Sequence, residues 1–287
     1  MKPRRPQPEL PTTRFLREHG QRLFDNLPGA QAGQEEPIHQ IRVASRRLRV
    51  ALPVAAHKPA GRRVQRTLKW LRALTRLAGQ GRDFDVCAVL FEQQASRAKV
   101  APLVVGLLRD RLQAERQDAH RALARALADF DATSLREDLG ILVARGGVGL
   151  KEARARLGSA RQGQSQAVRQ ELRALGIHFA PMALHAIRRR CRWLRYASEL
   201  GCALFGRGAT AVKRFKAVQD LLGQLHDAFV LAEWISREAR SWESQGKAAR
   251  AAAARVVGAC FRARAQALHR RFLRDRPITW LRLTSAT

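Results

Sequence analysis

Apolar residues recur every three or four positions along most of the chain, the spacing that places them on one face of an α-helix. No segment sustains the alternation of apolar and polar residues that is typical of a β-strand. Glycine and proline fall mainly between the periodic segments, where they begin or end helices. The pattern predicts an all-α protein with helices at 12–27, 38–52, 62–79, 83–97, 102–129, 133–144, 150–175, 182–202, 210–223, 227–245 and 247–273.

An internal repeat is the most informative feature of the sequence. HQIRVASRRLR at 39–49 aligns with HAIRRRCRWLR at 185–195, and LAGQGRD at 77–83 aligns with LLGQLHD at 221–227. The same order of features in both halves predicts two pseudo-symmetric helical bundles of about four helices each. The predicted organisation is one domain at 12–276 with repeats at about 12–130 and 150–276, a joining segment at 131–149, a basic, proline-rich N-terminus at 1–11 and a tail at 277–287.

Net charge adds a second constraint, because 54 Lys and Arg residues against 24 Asp and Glu residues give +30. A fold with this charge repels itself unless an anionic partner neutralises it. Most of the cations are Arg, whose planar guanidinium matches phosphate oxygens and stays charged at any cellular pH. Composition therefore favours a phosphate-rich partner. A genome bias toward Arg would account for solvated, scattered arginines, but it would not account for their clustering.

The basic residues cluster on one helix face in both repeats. On a helical wheel His39, Arg42, Arg46 and Arg49 share an arc of roughly 80° and span roughly 15 Å. The second repeat gives the same arc, with His185, Arg188, Arg192 and Arg195. A shorter stripe of the same kind contains Lys69, Arg72 and Arg76. Solvated faces usually mix charges of both signs, and these stripes contain no acidic residue, so they favour an anion-binding groove.

The type of anion is indicated by what the stripes lack. A linear phosphate polymer carries closely spaced charge and no bases, so Arg and Lys ladders can hold it by electrostatics alone. Sites for single-stranded nucleic acid usually add exposed aromatic side chains on which bases stack. Aromatic residues make up only 6% of this chain, and no RNA-reading motif or clear helix-turn-helix is present. The sequence favours a plain phosphate chain, and DNA or RNA remains the second candidate.

These motifs resemble the CHAD family, the conserved histidine α-helical domain proteins. The resemblance covers roughly residues 10–275 and rests on two His-led basic helices, each followed by an LxG segment that ends in RD or HD. It implies two four-helix bundles whose basic helices line a central groove or cavity that binds inorganic polyphosphate, in proteins associated with polyphosphate granules. Some members carry a tunnel domain with an ExExK motif; no ExExK occurs here, so the stand-alone form is expected.

The resemblance implies a set of polyphosphate contacts from the two motifs and the helices that follow them. These are His39, Arg42, Arg46, Arg47, Arg49, Lys69, Arg72, Arg76, Arg82, His185, Arg188, Arg189, Arg192, Arg195, Lys213, Arg214, Lys216 and His226. Trp193 stands where the first motif has Arg47, which removes one charge from the second motif. Asp83 and Asp227 each follow a glycine-containing segment, and we interpret them as helix N-caps or as partners that orient a groove arginine.

The histidines have two further interpretations. On the Arg face, His39 and His185 would donate hydrogen bonds to phosphate, so affinity should rise as pH falls through about 6.5. Alternatively, histidines and aspartates could ligate zinc or manganese, with candidates His39, His185, His226, Asp83, Asp85 and Asp227. The surrounding cations repel a divalent metal, and neither HxxxH nor HExxH spacing occurs. We predict no metal site, although bound polyphosphate could bring Mg²⁺ or Ca²⁺ with it.

No Walker loop, GxSxG elbow or kinase motif is present, which favours a binding protein with no catalytic residue and no required cofactor. The alternatives are a nucleoid-type protein that binds DNA or RNA and a polyphosphate-processing enzyme. Four scattered cysteines without a CxxC pair predict reduced, mostly buried thiols. The N-terminus lacks the apolar run of a signal peptide. We expect a cytoplasmic protein at polyphosphate granules, without membrane contact; its oligomeric state is left open.

Overall fold

The computed structural model describes residues 8–275, apart from the side chains of residues 80–82 and 97. Within this part of the chain every regular element is helical, which confirms the predicted all-α class. The α-helices are α1 Pro11–Asp25, α2 Leu27–Gln31, α3 Glu35–Ala55, α4 Arg62–Gln94, α5 Pro102–Ala128, α6 Ala132–Ala144, α7 Leu150–Leu175, α8 Pro181–Phe205, α9 Ala209–Ser244 and α10 Ala248–Arg274. A short 3-10 helix, Ala95–Arg97, follows α4.

Two predicted helix ends are wrong by several turns. The helices expected to stop at 79 and at 223 continue as α4 and α9. The helices α3 and α8 each end three residues later than predicted, at Ala55 and Phe205. A glycine inside a helix costs about 1 kcal/mol relative to alanine, which buried apolar neighbours can offset. Ala78 beside Gly79, and Leu222 beside Gly223, are fully or almost fully buried. Asp83 and Asp227 therefore lie inside helices, and their interpretation as N-caps is wrong.

The chain forms two compact units, each of which takes segments from both halves of the sequence. Unit 1 contains Met1–Ala78, Ala124–Gln164 and Trp193–Val212, and unit 2 contains Gly79–Leu123, Ser165–Arg192 and Lys213–Thr287, as far as these segments are described. The units therefore do not coincide with the sequence repeats, whose boundaries stay a prediction. The proposed terminal segments fall largely outside residues 8–275.

In unit 1, α1 packs on α3 and α6 through buried apolar residues such as Leu16, Leu23, Ile41 and Leu135. Hydrogen bonds fix the loop between α6 and α7 against this core. Thr12 Oγ1 donates to the Val148 carbonyl at 2.8 Å, and the Gly147 amide donates to Thr13 Oγ1 at 2.7 Å. The Val148 amide in turn donates to the Ala55 carbonyl at 2.8 Å, so the end of α3 is held by the same loop.

Unit 2 has an apolar core built from α4, α5, α9 and α10. Phe91 and Phe261 stack with ring centroids 6.1 Å apart, and Leu108 and Trp234 are buried in the same cluster. This core places the C-terminal part of α4 and most of α9 in fixed positions. Both helices carry an LxG segment identified in the sequence.

All four cysteines are free thiols, with Cys87 and Cys191 buried and Cys202 and Cys260 half-buried. Burial raises the pKa of Cys87 and of Cys191 to about 12, so both thiols stay protonated at neutral pH. Among the described helices, none is long and apolar enough to cross a lipid bilayer.

The continuity of α4 gives a stability prediction. An added methyl group at Gly79 meets no atom within 4 Å, so Gly79→Ala should stabilise the protein by about 0.5–1 kcal/mol through helix propensity. At Gly147 the same methyl group would lie 2.4 Å from Thr12 Oγ1, so Gly147→Ala should destabilise it by about 1–3 kcal/mol. Urea unfolding followed by circular dichroism measures both changes. A loss of stability in Gly79→Ala would contradict the continuous helix.

Candidate anion-binding site

The first His-led motif lies on α3 in unit 1, where the apolar side of the helix is buried and the basic side is half-buried. Ile41 and Leu48 are completely buried. The predicted contacts His39, Arg42, Arg46, Arg47 and Arg49 are all half-buried. Arg42 Nη1 donates to the carbonyl of Ala78 at 2.8 Å, which fixes its guanidinium beside the LxG segment of α4. The α3 stripe is therefore partly shielded from water.

The N-terminal part of α4 presents a longer basic face than the sequence analysis identified. Lys69, Arg72 and Arg76 are exposed, and Arg62 and Arg66 continue the same face toward the start of the helix. The five cations share an arc of roughly 120° and span roughly 21 Å. No acidic residue occurs between Arg62 and Arg76. The signal for Arg62 and Arg66 is present in the sequence, because the spacing of three and four residues continues backwards from Lys69.

One carboxylate joins the two motifs within unit 1. Glu199 on α8 accepts a hydrogen bond from Arg47 Nε and another from Arg195 Nε, each at 2.9 Å. The side chain of Glu199 is 15% exposed, and those of the two arginines are 25% and 20% exposed. Two cations therefore share one carboxylate in a partly desolvated place. Glu199 was missed in the sequence, although its position four residues after Arg195 places both on the same helix face.

In unit 2, α8 presents the rest of the second motif. His185, Arg188 and Arg192 are half-buried, and Arg189 is exposed. The imidazoles of His185 and His226 lie with ring centroids 4.4 Å apart. The structure therefore brings together the histidine that begins the basic motif and the histidine of the LLGQLHD segment. In the first repeat Arg82 occupies the position of His226, and its side chain lies outside the described residues.

Arg188 packs closely against α9. A methyl group added at Gly223 would lie 3.4 Å from Arg188 Nη2, so the glycine gives the guanidinium its room. Arg188 Nε and His185 Nδ1 are both shielded from solvent and have no hydrogen-bond partner among the described residues. Buried polar groups are nearly always hydrogen-bonded, and a partly desolvated cation is costly without an anion. Arg188 Nε–H, and His185 Nδ1 in the tautomer that is protonated there, are therefore suited to donate hydrogen bonds to an anionic oxygen.

The basic residues at the start of α9 form a weaker stripe. Lys213, Arg214 and Lys216 are all exposed. Lys216 Nζ lies 2.9 Å from Asp220 Oδ2, and Asp220 falls on the same helix face as both lysines. This face therefore mixes charges, unlike the face of α4.

The aspartates of the two LxG segments act on one buried thiol. After burial, which is the main cause, the negative charges of Asp227 and Asp83 further raise the pKa of Cys87. Both carboxylates therefore lie in its electrostatic range within unit 2. Their pairing with a groove arginine stays a prediction. In the described part of the chain, no group of three or more His, Cys, Asp or Glu side chains is arranged to hold a metal ion.

The imidazoles of His185 and His226 are neutral at neutral pH. Burial lowers the pKa of His226 to about 4, with further lowering by His185, Arg188 and Arg192. Burial also lowers the pKa of His185, and Arg188, Arg192 and Arg189 add to the effect. The rise in polyphosphate affinity that was expected as pH falls through about 6.5 should therefore occur at lower pH for His185. A neutral imidazole still donates one hydrogen bond.

Fold and site together define an all-α protein with arginine-rich helix faces. The chain belongs to the CHAD domain family, which matches it over residues 14–236. The structure is similar to "PptA from Streptomyces chartreusis", with a TM-score of 0.74 and 17% identity, covering 92% of this chain and 97% of that one. It is also similar to the "CHAD domain from the plant Ricinus communis", with a TM-score of 0.62 and 22% identity over 87% of this chain and 84% of that one.

A curated relative is "Uncharacterized protein MT2285" of Mycobacterium tuberculosis (strain CDC 1551 / Oshkosh), which is 26% identical over 257 residues. The match covers 85% of this chain and 49% of the relative, so the chain spans about half the length of that protein. At these identities the similarity to the two solved structures establishes the fold alone.

The depressed pKa of His226 predicts a loss of stability in acid. Between about pH 6.5 and pH 4 the unfolded chain binds a proton at this residue and the folded chain does not, so stability falls as pH falls through that window. We expect a contribution of about 1–2 kcal/mol, allowing for partial solvent exposure. Thermal unfolding from pH 7 to 4.5 should show a shallower decline in His226→Gln than in the wild type. Parallel curves would contradict the neutral, buried imidazole.

Proposed function

We propose that this protein binds inorganic polyphosphate through the arginine, lysine and histidine side chains of its basic helices. The polymer is held by hydrogen bonds and charge, without a required cofactor and without chemistry, and divalent cations can accompany it. The expected location is the polyphosphate granule. Membership of the CHAD domain family supports the proposal, because polyphosphate binding is a known role of such domains.

The observation that carries the proposal is the arrangement around Arg188. The Arg188 side chain is half-buried. Its Nε is shielded from solvent and has no hydrogen-bond partner among residues 8–275. Binding of an anion at this guanidinium would therefore be favourable in the folded protein. His185 Nδ1, which donates in the tautomer that is protonated there, is a second shielded nitrogen one helical turn away on the same face. Phosphate oxygens accept hydrogen bonds from both side-chain types, and charge-assisted bonds of this kind are among the stronger ones in proteins.

The face of α4 supports a long rather than a compact ligand. Five cations in succession over roughly 21 Å match a polymer whose charge repeats along its length. Base-reading is disfavoured, because no Phe, Tyr or Trp side chain within residues 8–275 is exposed. Trp70, which lies beside this face, is half-buried and packs edge-on against Phe130 with ring centroids 5.4 Å apart. The aromatic platforms on which the bases of single-stranded nucleic acid usually stack are thus missing from the described surface.

A competition titration tests the polymer against nucleic acid. Labelled long-chain polyphosphate is bound at physiological salt and displaced with unlabelled polyphosphate or duplex DNA at equal phosphate concentration. We expect polyphosphate to compete at least about tenfold better, and its affinity to fall steeply with added salt because counterions are released. Equal competition would make the protein a general polyanion binder. Release of orthophosphate in the same mixture would favour a polyphosphate-processing enzyme.

Loss of the shielded donor should weaken binding strongly. Arg188→Gln keeps a polar side chain but removes the charge, and we expect at least about a tenfold loss of polyphosphate affinity. Arg42→Glu combined with Arg188→Glu should abolish binding while helicity is retained. Arg237→Gln, at an exposed arginine of α9 outside the predicted contacts, is the matched control. Similar affinities for Arg188→Gln and its control would place the binding site elsewhere.

Removal of the shared carboxylate should act in the opposite direction. Glu199 competes with an incoming phosphate for Arg47 and Arg195, so Glu199→Gln should raise polyphosphate affinity by about three- to tenfold. The same variant should unfold at a lower temperature without ligand, because two half-buried arginines lose their anion. Titration and thermal unfolding with and without polyphosphate measure both effects. Weaker binding would show that Glu199 holds the arginines in their binding positions instead of competing for them.

A further inference from the structure

Unit 1 contains a pocket of about 620 Å³, and none of the predicted polyphosphate contacts lines it. It is lined by residues from the end of α3 to the first turn of α4 and from the end of α6. Its size falls within the range of about 300–1,000 Å³ that is usual for small-molecule sites. The volume is too compact for a long polymer to run through and large enough for a nucleotide-sized ligand.

The rim of the pocket is strongly basic. Six of its lining residues are His57, Lys58, Arg62, Arg63, Arg66 and Arg145, and no acidic residue lines it. The first turn of α4 also lies here, and the amides of its first three residues, Arg62, Arg63 and Val64, have no acceptor within the helix. Amides at a helix N-terminus add partial positive charge to that of the side chains. The rim therefore selects an anion.

Two of the arginines are oriented by a carboxylate that does not itself line the pocket. Asp138, which is 2% exposed, accepts hydrogen bonds from Arg63 Nε at 3.2 Å and from Arg66. The two guanidinium groups lower the pKa of Asp138, so the carboxylate stays charged at neutral pH. One carboxylate thus orients two arginines of the rim, just as Glu199 accepts from both Arg47 and Arg195.

The inner wall is apolar and fixed. Ala56 and Val64 are buried, and Leu142 is 8% exposed. Arg156 donates to the carbonyl of Ala56, and the Val148 amide donates to that of Ala55, so this end of α3 cannot shift freely. Such a wall offers nothing to a bare phosphate. It stabilises a ligand that carries an apolar or aromatic group as well as its anion.

We propose that this pocket binds a small organic phosphate of the nucleoside triphosphate class. The phosphates lie among the rim cations and the amides of α4, and the nucleoside lies against Ala56, Val64 and Leu142. Guanidinium planes at the rim add a surface on which a base can stack. The proposal does not depend on polyphosphate binding, since Lys58 and Arg145 lie outside the predicted polymer contacts.

Isothermal titration of the Arg42→Glu, Arg188→Glu double variant at physiological salt, with ATP, tripolyphosphate and adenosine as separate probes, tests the proposal. The double variant is used because tripolyphosphate would also bind at the polymer contacts of the wild type. Tripolyphosphate carries at least as much charge as ATP, so attraction by charge alone would rank it equal or tighter. We expect ATP to bind at least about tenfold more tightly than either probe, because only ATP uses both the rim and the apolar wall. Equal or tighter binding of tripolyphosphate would overturn the proposal.

Variants locate the site. Lys58→Glu combined with Arg145→Glu changes two exposed side chains of the rim and should weaken ATP binding at least about tenfold. The same double variant should keep its polyphosphate affinity within about threefold, since it spares the basic faces of α3, α4 and α8. Arg188→Gln is the converse control and should leave ATP binding unchanged. ATP binding that survives the rim variant, or that is lost in Arg188→Gln, would assign it to the general basic surface and overturn the pocket.

Discussion

The constraint on which this structure depends is the placement of many cations on helices that must also bury apolar residues. The sequence carries a net charge of +30, and several of its arginines are half-buried instead of fully solvated. A partly desolvated guanidinium requires an anion or an aligned acceptor. The fold meets this requirement with few carboxylates, because Glu199 serves Arg47 and Arg195 and Asp138 serves Arg63 and Arg66. Acidic residues thus orient arginines without neutralising the basic faces.

The two repeated motifs are in contact with each other in the structure. In each repeat, the first arginine of the basic motif contacts an LxG segment: Arg42 donates to the carbonyl of Ala78, and Arg188 packs on Gly223. The glycine of the second segment is a place of close approach within a helix, where a side chain would crowd the guanidinium. The LxG segment therefore positions an arginine. Gly223 lowers the helix propensity of α9, but it leaves room for the Arg188 guanidinium.

Sequence periodicity was sufficient for the all-α class and for which side of α3 and α8 carries the charge, because both follow from local spacing. It failed at residues 79 and 223, where tertiary packing outweighs the helix-breaking tendency of glycine. It also missed the hydrogen bond of Glu199 with Arg47, since these residues lie 152 positions apart in the chain. The pocket could not be predicted from the sequence either, because its walls come from residues 56–66 and 142–146, which are far apart in the chain.

An open basic face and a basic pocket would select different kinds of anion, although both are built from arginine and lysine side chains. On the face of α4, charge is arranged along a line and exposed, so a polyanion bound there would be selected by its charge density and length. At the pocket, arginines fixed by Asp138 surround an apolar wall, so a ligand gains only if its shape and apolar surface fit as well. Because Arg62 and Arg66 belong to both surfaces, a ligand in the pocket and a polymer on α4 would compete for these two side chains. Polymer binding in this protein would then depend on the concentration of the small ligand, through shared residues and without any change of conformation.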